Sequence, residues 1–379
     1  MAIRLTFLCV LIGSLSAAEP KPLPFLTGGD ISMLLRQEQA GVVFSDADGH
    51  QDLIALMTDA GCNCFRVRLF VNPTGRGGVV QDVPYALEMA KRIKAAKGIF
   101  LLNFHYSDTW ADPAHQTKPA AWKDMPFDEL VQTVQTYTAD VIAQFKAHRL
   151  LPDIVQLGNE IQPGFLWPDG RLGGPDPEDS WGRFTRLLNA AVAGLRSAAP
   201  DDDIQIMIHI ACGGDFGKTD WFFSTLQQYD VPYDLIGQSY YPWWHGTLTQ
   251  LEDTLARTAK KFKKDIVIVE TAYPNSPVER FEPGADPNDA MPWPMSPEGQ
   301  RDFLAALLRT VRQTPDNRGR GVIWWYPESV PAAARGGWYN GKMALFDPNA
   351  RSLPALKAFT PMDAVRVETP VDAALPLKK

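Results

Sequence analysis

The sequence predicts an α/β fold, a single-domain (β/α)8 TIM barrel, on three observations. Eight short β-rich runs recur along the chain, helix-length segments separate most of them, and two runs turn from apolar to acidic at a glutamate. Strands alternating with helices imply parallel strands joined by right-handed crossovers. Eight such units match a closed barrel, whose reactive residues gather at the C-terminal ends of the strands.

The runs are 25–32, 64–70, 99–106, 153–160, 204–211, 235–241, 266–273 and 322–327, each ending in polar or Gly-rich chemistry. The spacing predicts a helix over 84–97, with Pro84 near its start and Gly98 past its end. Segments 128–149, 181–198, 248–262 and 298–311 repeat apolar residues at helical spacing. A doubly wound open sheet is the alternative, but no G-x-G-x-x-G turn follows the first run. Gly217-Lys218-Thr219 has the ending of a phosphate loop, yet the earlier glycine that such a loop requires is Cys212.

The chain has 379 residues, 45% hydrophobic and 21% charged, which suits one large core. Barrels of this kind run from ~200 to over 400 residues, so length forces no division. Residues 1–18 read as a signal peptide: Arg4, an apolar run from Leu5 to Ile12, then small residues to Ala18. That run falls short of the ~20 apolar residues of a spanning helix, so no membrane span and a secreted or periplasmic protein are expected. The barrel should occupy 19–362, and 363–379 reads as a frayed tail.

Lys plus Arg number 37 against 44 Asp plus Glu, a net charge of −7. An acidic chain without a basic block lacks the footprint of a nucleic-acid binder, so neutral or cationic partners are expected. Cys62 and Cys64, two apart in a strand-like run, should leave the same face and cannot bridge readily. With Cys212 they are expected to be buried free thiols.

The chemistry concentrates in Leu157-Gly-Asn-Glu160 and Ile268-Val-Glu270-Thr271. A buried strand does not end in carboxylates without a reason, because unpaired ones are costly to desolvate. Glycosidic cleavage supplies that reason: one carboxyl protonates the leaving oxygen while the other attacks or activates water. Salt bridges closing the barrel end are the structural alternative. His105, Asp108, Asp112 and His115 crowd the loop after the third run, but without metal-site spacing they read as substrate contacts. Nine of the 11 tryptophans sit in strand ends or following loops, as a sugar-stacking groove requires, with one of Trp243 and Trp244 expected in the core.

These residues resemble the clan of barrel glycosidases with catalytic glutamates after strands four and seven. More narrowly, the chain resembles glycoside hydrolase family 53, the endo-β-1,4-galactanases. The carriers are Gly29-Asp-Ile-Ser32, Arg66-Val-Arg-Leu-Phe-Val-Asn-Pro73, and His105 through Pro113 with Gln116, Pro119 and Trp122. They continue in Gly158-Asn-Glu-Ile161, Leu166-Trp-Pro168, Ile206-Met-Ile-His209, Ser239-Tyr-Tyr-Pro242, Val269-Glu-Thr271 and Ala344-Leu-Phe-Asp347.

The resemblance implies Glu160 as acid/base, Glu270 as nucleophile and Asn159 as a contact to the sugar hydroxyl beside the anomeric carbon. Tyr240 and either Arg66 or Arg68 would keep Glu270 ionised. His105, Asp108, Trp110 and Trp325 would shape the subsites, and Asp30, Asp112, Trp122, Trp167, His209 and Tyr241 complete the expected substrate contacts. Phe70, Tyr326 and Trp338-Tyr-Asn340 depart from the family pattern, which bears on the far subsites. Some bacterial members would carry structural calcium near the last loops, but no dense ligand set stands there, so no cofactor and no metal are expected.

The implied protein is a monomer acting on neutral β-1,4-galactan by a retaining mechanism. Another β-1,4-endoglycanase, such as a cellulase or mannanase, is the alternative within enzymes. A non-catalytic polysaccharide-binding barrel is the alternative outside them.

Overall fold

All eight runs form strands that close on themselves in a computed structural model. It describes residues 22–360 except 50–51, 175–178, 283, 287–289 and 332–336. The expected signal peptide at 1–18 and tail at 363–379 lie outside the described residues. The barrel strands are β1 Leu26–Asp30, β2 Cys64–Leu69, β3 Ile99–Phe104 and β4 Ile154–Leu157. They continue as β5 Gln205–Ile210, β6 Leu235–Ser239, β7 Asp265–Thr271 and β8 Gly319–Trp325. β1 pairs in parallel with both β2 and β8, which closes the ring. A two-residue-per-strand hairpin, Gly164–Phe165 with Gly170–Arg171, decorates the loop after β4.

The expected helices appear as Val83–Ala95, Phe127–Ala147, Ser180–Ala198, Leu248–Phe262 and Pro297–Arg312. Local chemistry starts several of them. The Asp82 carboxylate accepts from the Tyr85 N–H, Ser296 caps Gly299, and Thr247 with Gln250 forms a reciprocal capping box. Each such cap stabilises by about 1 kcal/mol. Gly98 is not the left-handed residue that ends Val83–Ala95; Lys97 holds that conformation, at φ +58°.

Helix Phe216–Gln228 was not among the predicted helices. Its first turn contains Gly217-Lys218-Thr219, and the Asp215 side chain caps the Lys218 N–H. The resemblance to a phosphate loop is therefore an ordinary helix start.

Alternation along the strands builds the interior in layers. Leu26, Cys64, Leu101, Ile154, Met207, Leu235, Val267 and Ile323 fill the barrel axis. Two residues further on, the same faces carry Arg66, Asn103, Gln156 and His209, all buried. The core therefore turns polar at the C-terminal end of the barrel. Gly28 allows β1 and β2 to meet at the level of Cys64: at φ +158°, a Cβ there would sit 1.8 Å from the Cys64 carbonyl oxygen.

Cys62, Cys64 and Cys212 are buried and unbridged. The expected shared face is wrong for the first two. Cys64 belongs to the barrel axis and Cys62 to the layer beneath the helices, because the strand begins only at Cys64 and its alternation does not reach Cys62.

Candidate active site

Asp30, Arg66 and Arg68, all fully buried, form the floor of the barrel mouth. Arg66 Nη1 lies 3.0 Å from Asp30 Oδ2 and 2.8 Å from Glu270 Oε1, while Arg68 Nη1 lies 3.1 Å from Asp30 Oδ1. Two guanidinium charges thus face two carboxylates. Buried ions persist only when paired and hydrogen-bonded; all four groups are paired and each has at least one hydrogen bond, while the atoms Arg68 Nε and Glu270 Oε1 have none. The choice between the arginines resolves by geometry: Arg66 reaches Glu270, whereas Arg68 is roofed by Trp110, Trp325 and Tyr326, whose ring centres lie 4.6, 4.7 and 4.6 Å from its guanidinium carbon.

Glu270 reaches the mouth through an irregular strand. The pairing of β7 shifts register against β6 between Gln238 and Ser239 and against β8 between Val322 and Trp324. Such irregularities re-aim side chains. The Tyr241 hydroxyl donates to Glu270 Oε2 at 3.0 Å. Tyr240, expected in that role, points outward: its hydroxyl donates to the Gly246 carbonyl oxygen and its ring stacks on Phe303. The reason is period two: Leu235, Gly237 and Ser239 alternate on one side of β6, and the next residue of that series is Tyr241.

Glu160 follows β4 in a left-handed conformation, φ +52°, which a side-chain-bearing residue holds only under constraint. Its Oε1 accepts the Ser239 hydroxyl at 2.6 Å. Burial, and then the charge of Glu270, raise its carboxyl well above the ordinary range, with Ser239 opposing. Burial also raises Glu270, but Arg66 and the Tyr241 hydroxyl act against it. Of the coupled pair, Glu270 therefore ionises first and Glu160 keeps its proton.

The two glutamates line a cleft of about 820 Å³, together with Trp110, Asp112, Asn159, Tyr241, Trp244, Trp325, Tyr326 and Trp338. That volume suits a multi-unit ligand. Trp244 and Trp338 are two of the nine tryptophans expected to form the groove, Tyr326 was not among the expected contacts, and Trp243 is the core member of its pair. Asn159 lines the cleft with its Oδ1 accepting from Arg66 at 2.7 Å and its Nδ2 donating to the Ala111 carbonyl oxygen. His105 is buried behind Trp110, its Nδ1 accepting from the Ala111 N–H.

Six expected substrate contacts sit elsewhere or face other partners. Asp30 is fully enclosed by its arginines and Ser32. Asp108 clamps loops, accepting from the Asn72 and Ala120 N–H groups. Trp122 is buried against Tyr137, and Trp167 donates to the Pro163 carbonyl oxygen with Arg171 over its ring. His209 is fully buried beneath Ser239. Asp112 does line the cleft, but its carboxylate is engaged by its own turn and by His115. Of the six, only Asp112 lines the cleft.

Glu328 is a further buried carboxyl beside this network. One oxygen accepts from the Met33 N–H at 2.8 Å, and burial followed by the charge of Asp30 pushes its pKa up to about 8. A folded-state value above the unfolded one means that its contribution to stability is full below about pH 4.5 and is lost as pH rises towards about 8. Glu328→Gln is expected to abolish that loss. Melting temperatures at pH 5 and pH 9 check this: the variant should match the parent at pH 5 and exceed it at pH 9.

The sequence profile described as Glycosyl hydrolase family 53 matches residues 26–359. The chain belongs to glycosyl hydrolase family 53. This family 53 member is 38% identical to an uncharacterized protein in the bgaB 5′ region of Niallia circulans, over 88% of this chain and 93% of that one. It is 34% identical to an arabinogalactan endo-β-1,4-galactanase of Thermothelomyces thermophilus, over 88% and 98% of the two chains. The catalytic domain of a family 53 protein from Ignisphaera aggregans superposes with a TM-score of 0.80 at 31% identity, covering 89% of this chain and 96% of that one. A fungal β-1,4-galactanase superposes with a TM-score of 0.79 at 33% identity, covering 89% and 99%. The family 53 member is a glycoside hydrolase. Among its described residues no helix is long and apolar enough to cross a membrane.

Proposed function

We propose that this protein is an exported endo-β-1,4-galactanase that retains anomeric configuration, with Glu270 as nucleophile and Glu160 as acid/base. The observation that carries the reading is the unequal surroundings of the two carboxylates. Glu270 faces a guanidinium at 2.8 Å and a phenol at 3.0 Å, both of which favour its ionised form. Glu160 has a single hydroxyl donor and the charge of Glu270 beside it, which favour its protonated form. One carboxylate ready to attack and one acid ready to donate are what glycosidic double displacement requires.

The galactan assignment rests on the names of the relatives and on a cleft with six aromatic side chains in its walls. Aromatic faces bind neutral sugar rings without calling for charge on the substrate. Export rests on the signal-peptide pattern of residues 1–18.

Linear β-1,4-galactan, carboxymethylcellulose and β-mannan, assayed side by side with chain-length analysis, test the substrate. Galactan should yield intermediate oligomers early, and faster cleavage of either other polymer would overturn the reading. The carboxylate pair supplies both proton and nucleophile, so we propose that no cofactor is required. Chelator treatment should leave the rate unchanged; a loss restored by a divalent ion would contradict this.

A further inference from the structure

We infer that His209, acting through Ser239, fixes which oxygen of Glu160 carries the catalytic proton, placing it on Oε2 and keeping Oε1 as an acceptor. This rests on the assignment of Glu160 as acid/base.

The argument follows donors from a group that can only donate. Arg66 Nε points at Gln156 Oε1 at 3.1 Å, and a guanidinium has no lone pair to offer. That contact fixes the Gln156 amide, so its nitrogen, a donor only, lies 3.0 Å from His209 Nδ1. The same amide has two hydrogens for three nearby acceptors; the Gly158 carbonyl at 2.9 Å and His209 Nδ1 at 3.0 Å are closer than Asn159 Oδ1 at 3.2 Å. Asn159 Oδ1 also lies 3.1 Å from Nδ1, but it already accepts from Arg66 at 2.7 Å and from Asn103 at 3.2 Å, which fill both its lone pairs; Nδ1 therefore accepts from Gln156, and the ring proton sits on Nε2. Nε2 lies 2.8 Å from Ser239 Oγ and donates to it.

Ser239 then has one proton and one remaining close partner, Glu160 Oε1 at 2.6 Å. Every hydrogen bond in the series Arg66, Gln156, His209, Ser239, Glu160 runs in one direction. The carboxyl proton is excluded from Oε1, because Ser239 already presents hydrogen to that atom. It must reside on Oε2. A proton on Oε1 would be tied up inside the protein, away from the leaving oxygen.

Burial first, then the charge of Arg66, hold His209 neutral, as do the more distant His105 and His245. The direction of the series therefore does not reverse with pH in the working range. The other groups facing Glu160 are Glu270, Asp112, Arg66, Tyr241 and Cys212. Among these groups Ser239 alone hydrogen-bonds the Glu160 carboxyl, so His209 acts here as a positioning residue.

The test combines a pH profile with a direct reading of the ring. Ser239→Ala removes the donor to the carboxylate, and the alkaline limb of kcat/KM on galactan should move up by about one pH unit. His209→Leu frees Ser239 to accept the Glu160 proton, so the same limb should rise and kcat should fall on the order of 10-fold. His209→Gln, which keeps an N–H donor, should restore much of both. The double variant Ser239→Ala/His209→Leu should match Ser239→Ala alone.

Nitrogen-15 NMR of the six histidines gives the second readout, with His209 assigned by its loss in His209→Gln. It should show a neutral ring protonated on Nε2 at both pH 5 and pH 8. Protonation on Nδ1, an unmoved limb in Ser239→Ala, or additive effects in the double variant would each overturn the inference. A parent enzyme inert on galactan would instead reject the substrate assignment, and the tautomer reading would stand apart from it.

Discussion

Glu270→Gly is expected to lose turnover on galactan by at least on the order of 10⁴-fold while remaining folded. Without Glu270, Arg66 still has Asp30 at 3.0 Å, Gln156 at 3.1 Å and Asn159 at 2.7 Å. The variant leaves two buried guanidinium charges sharing the Asp30 carboxylate, so its melting temperature should fall while the remaining contacts of Arg66 keep it folded. If Glu270 served only as a salt bridge closing the barrel end, that lost stability, about 3–5 kcal/mol, would be the whole effect, and no added anion would restore turnover. Added azide should enter the space left by the side chain. With an activated aryl β-galactoside it should yield the α-galactosyl azide, because the anion then attacks from the face that Glu270 used. Recovery of activity with the β-azide, or an unfolded variant without rescue, would reject the nucleophile assignment.

Glu160→Ala should be selective in a way that no structural role predicts. The loss on galactan, whose leaving sugar needs a proton, should be on the order of 10²–10⁴-fold. The first step on a substrate with a good leaving group should be nearly spared, since that step needs no acid. Azide should now capture the covalent intermediate and give the β-galactosyl azide. The pH profile supplies the sign. In the parent enzyme activity falls as pH rises through the raised Glu160 value, because the acid loses its proton, and falls at low pH as Glu270 gains one. The variant should lose the alkaline limb and keep the acid limb. An equal loss on activated and natural substrates would contradict the acid role.

Much of the barrel was legible because its signal is repeated. Eight β-rich runs, four periodic helical segments and one read from its ends each carry the fold independently, so a missed helix at Phe216–Gln228 changed nothing. The catalytic glutamates stood out because a carboxylate at the end of an apolar strand contradicts the burial that precedes it.

The supporting residues were harder to place, since strand-end position does not say which way a side chain faces. Tyr240 and Tyr241 differ by one residue and by the whole thickness of the sheet, and extending the alternation from Leu235 through Ser239 separates them. The same alternation from Ile154 would have marked Gln156, and from Leu235 it would have marked Ser239. Asp30, Asp108 and His209 illustrate the opposite limit: polar residues near the mouth that hold other groups in place. Their partners lie as far as 53 residues away in sequence, and no local pattern records such pairings.

The stereochemistry of the first-formed product tests the central assignment most directly. If Glu160 and Glu270 act as acid/base and nucleophile, their carboxyl groups should stand ~5–5.5 Å apart, leaving no room for an intervening water. Proton NMR of linear β-1,4-galactan, recorded in the first minutes after enzyme addition, should show the β-anomer of the new reducing end before mutarotation. An initial α-anomer would mean direct attack by water and would contradict the double displacement.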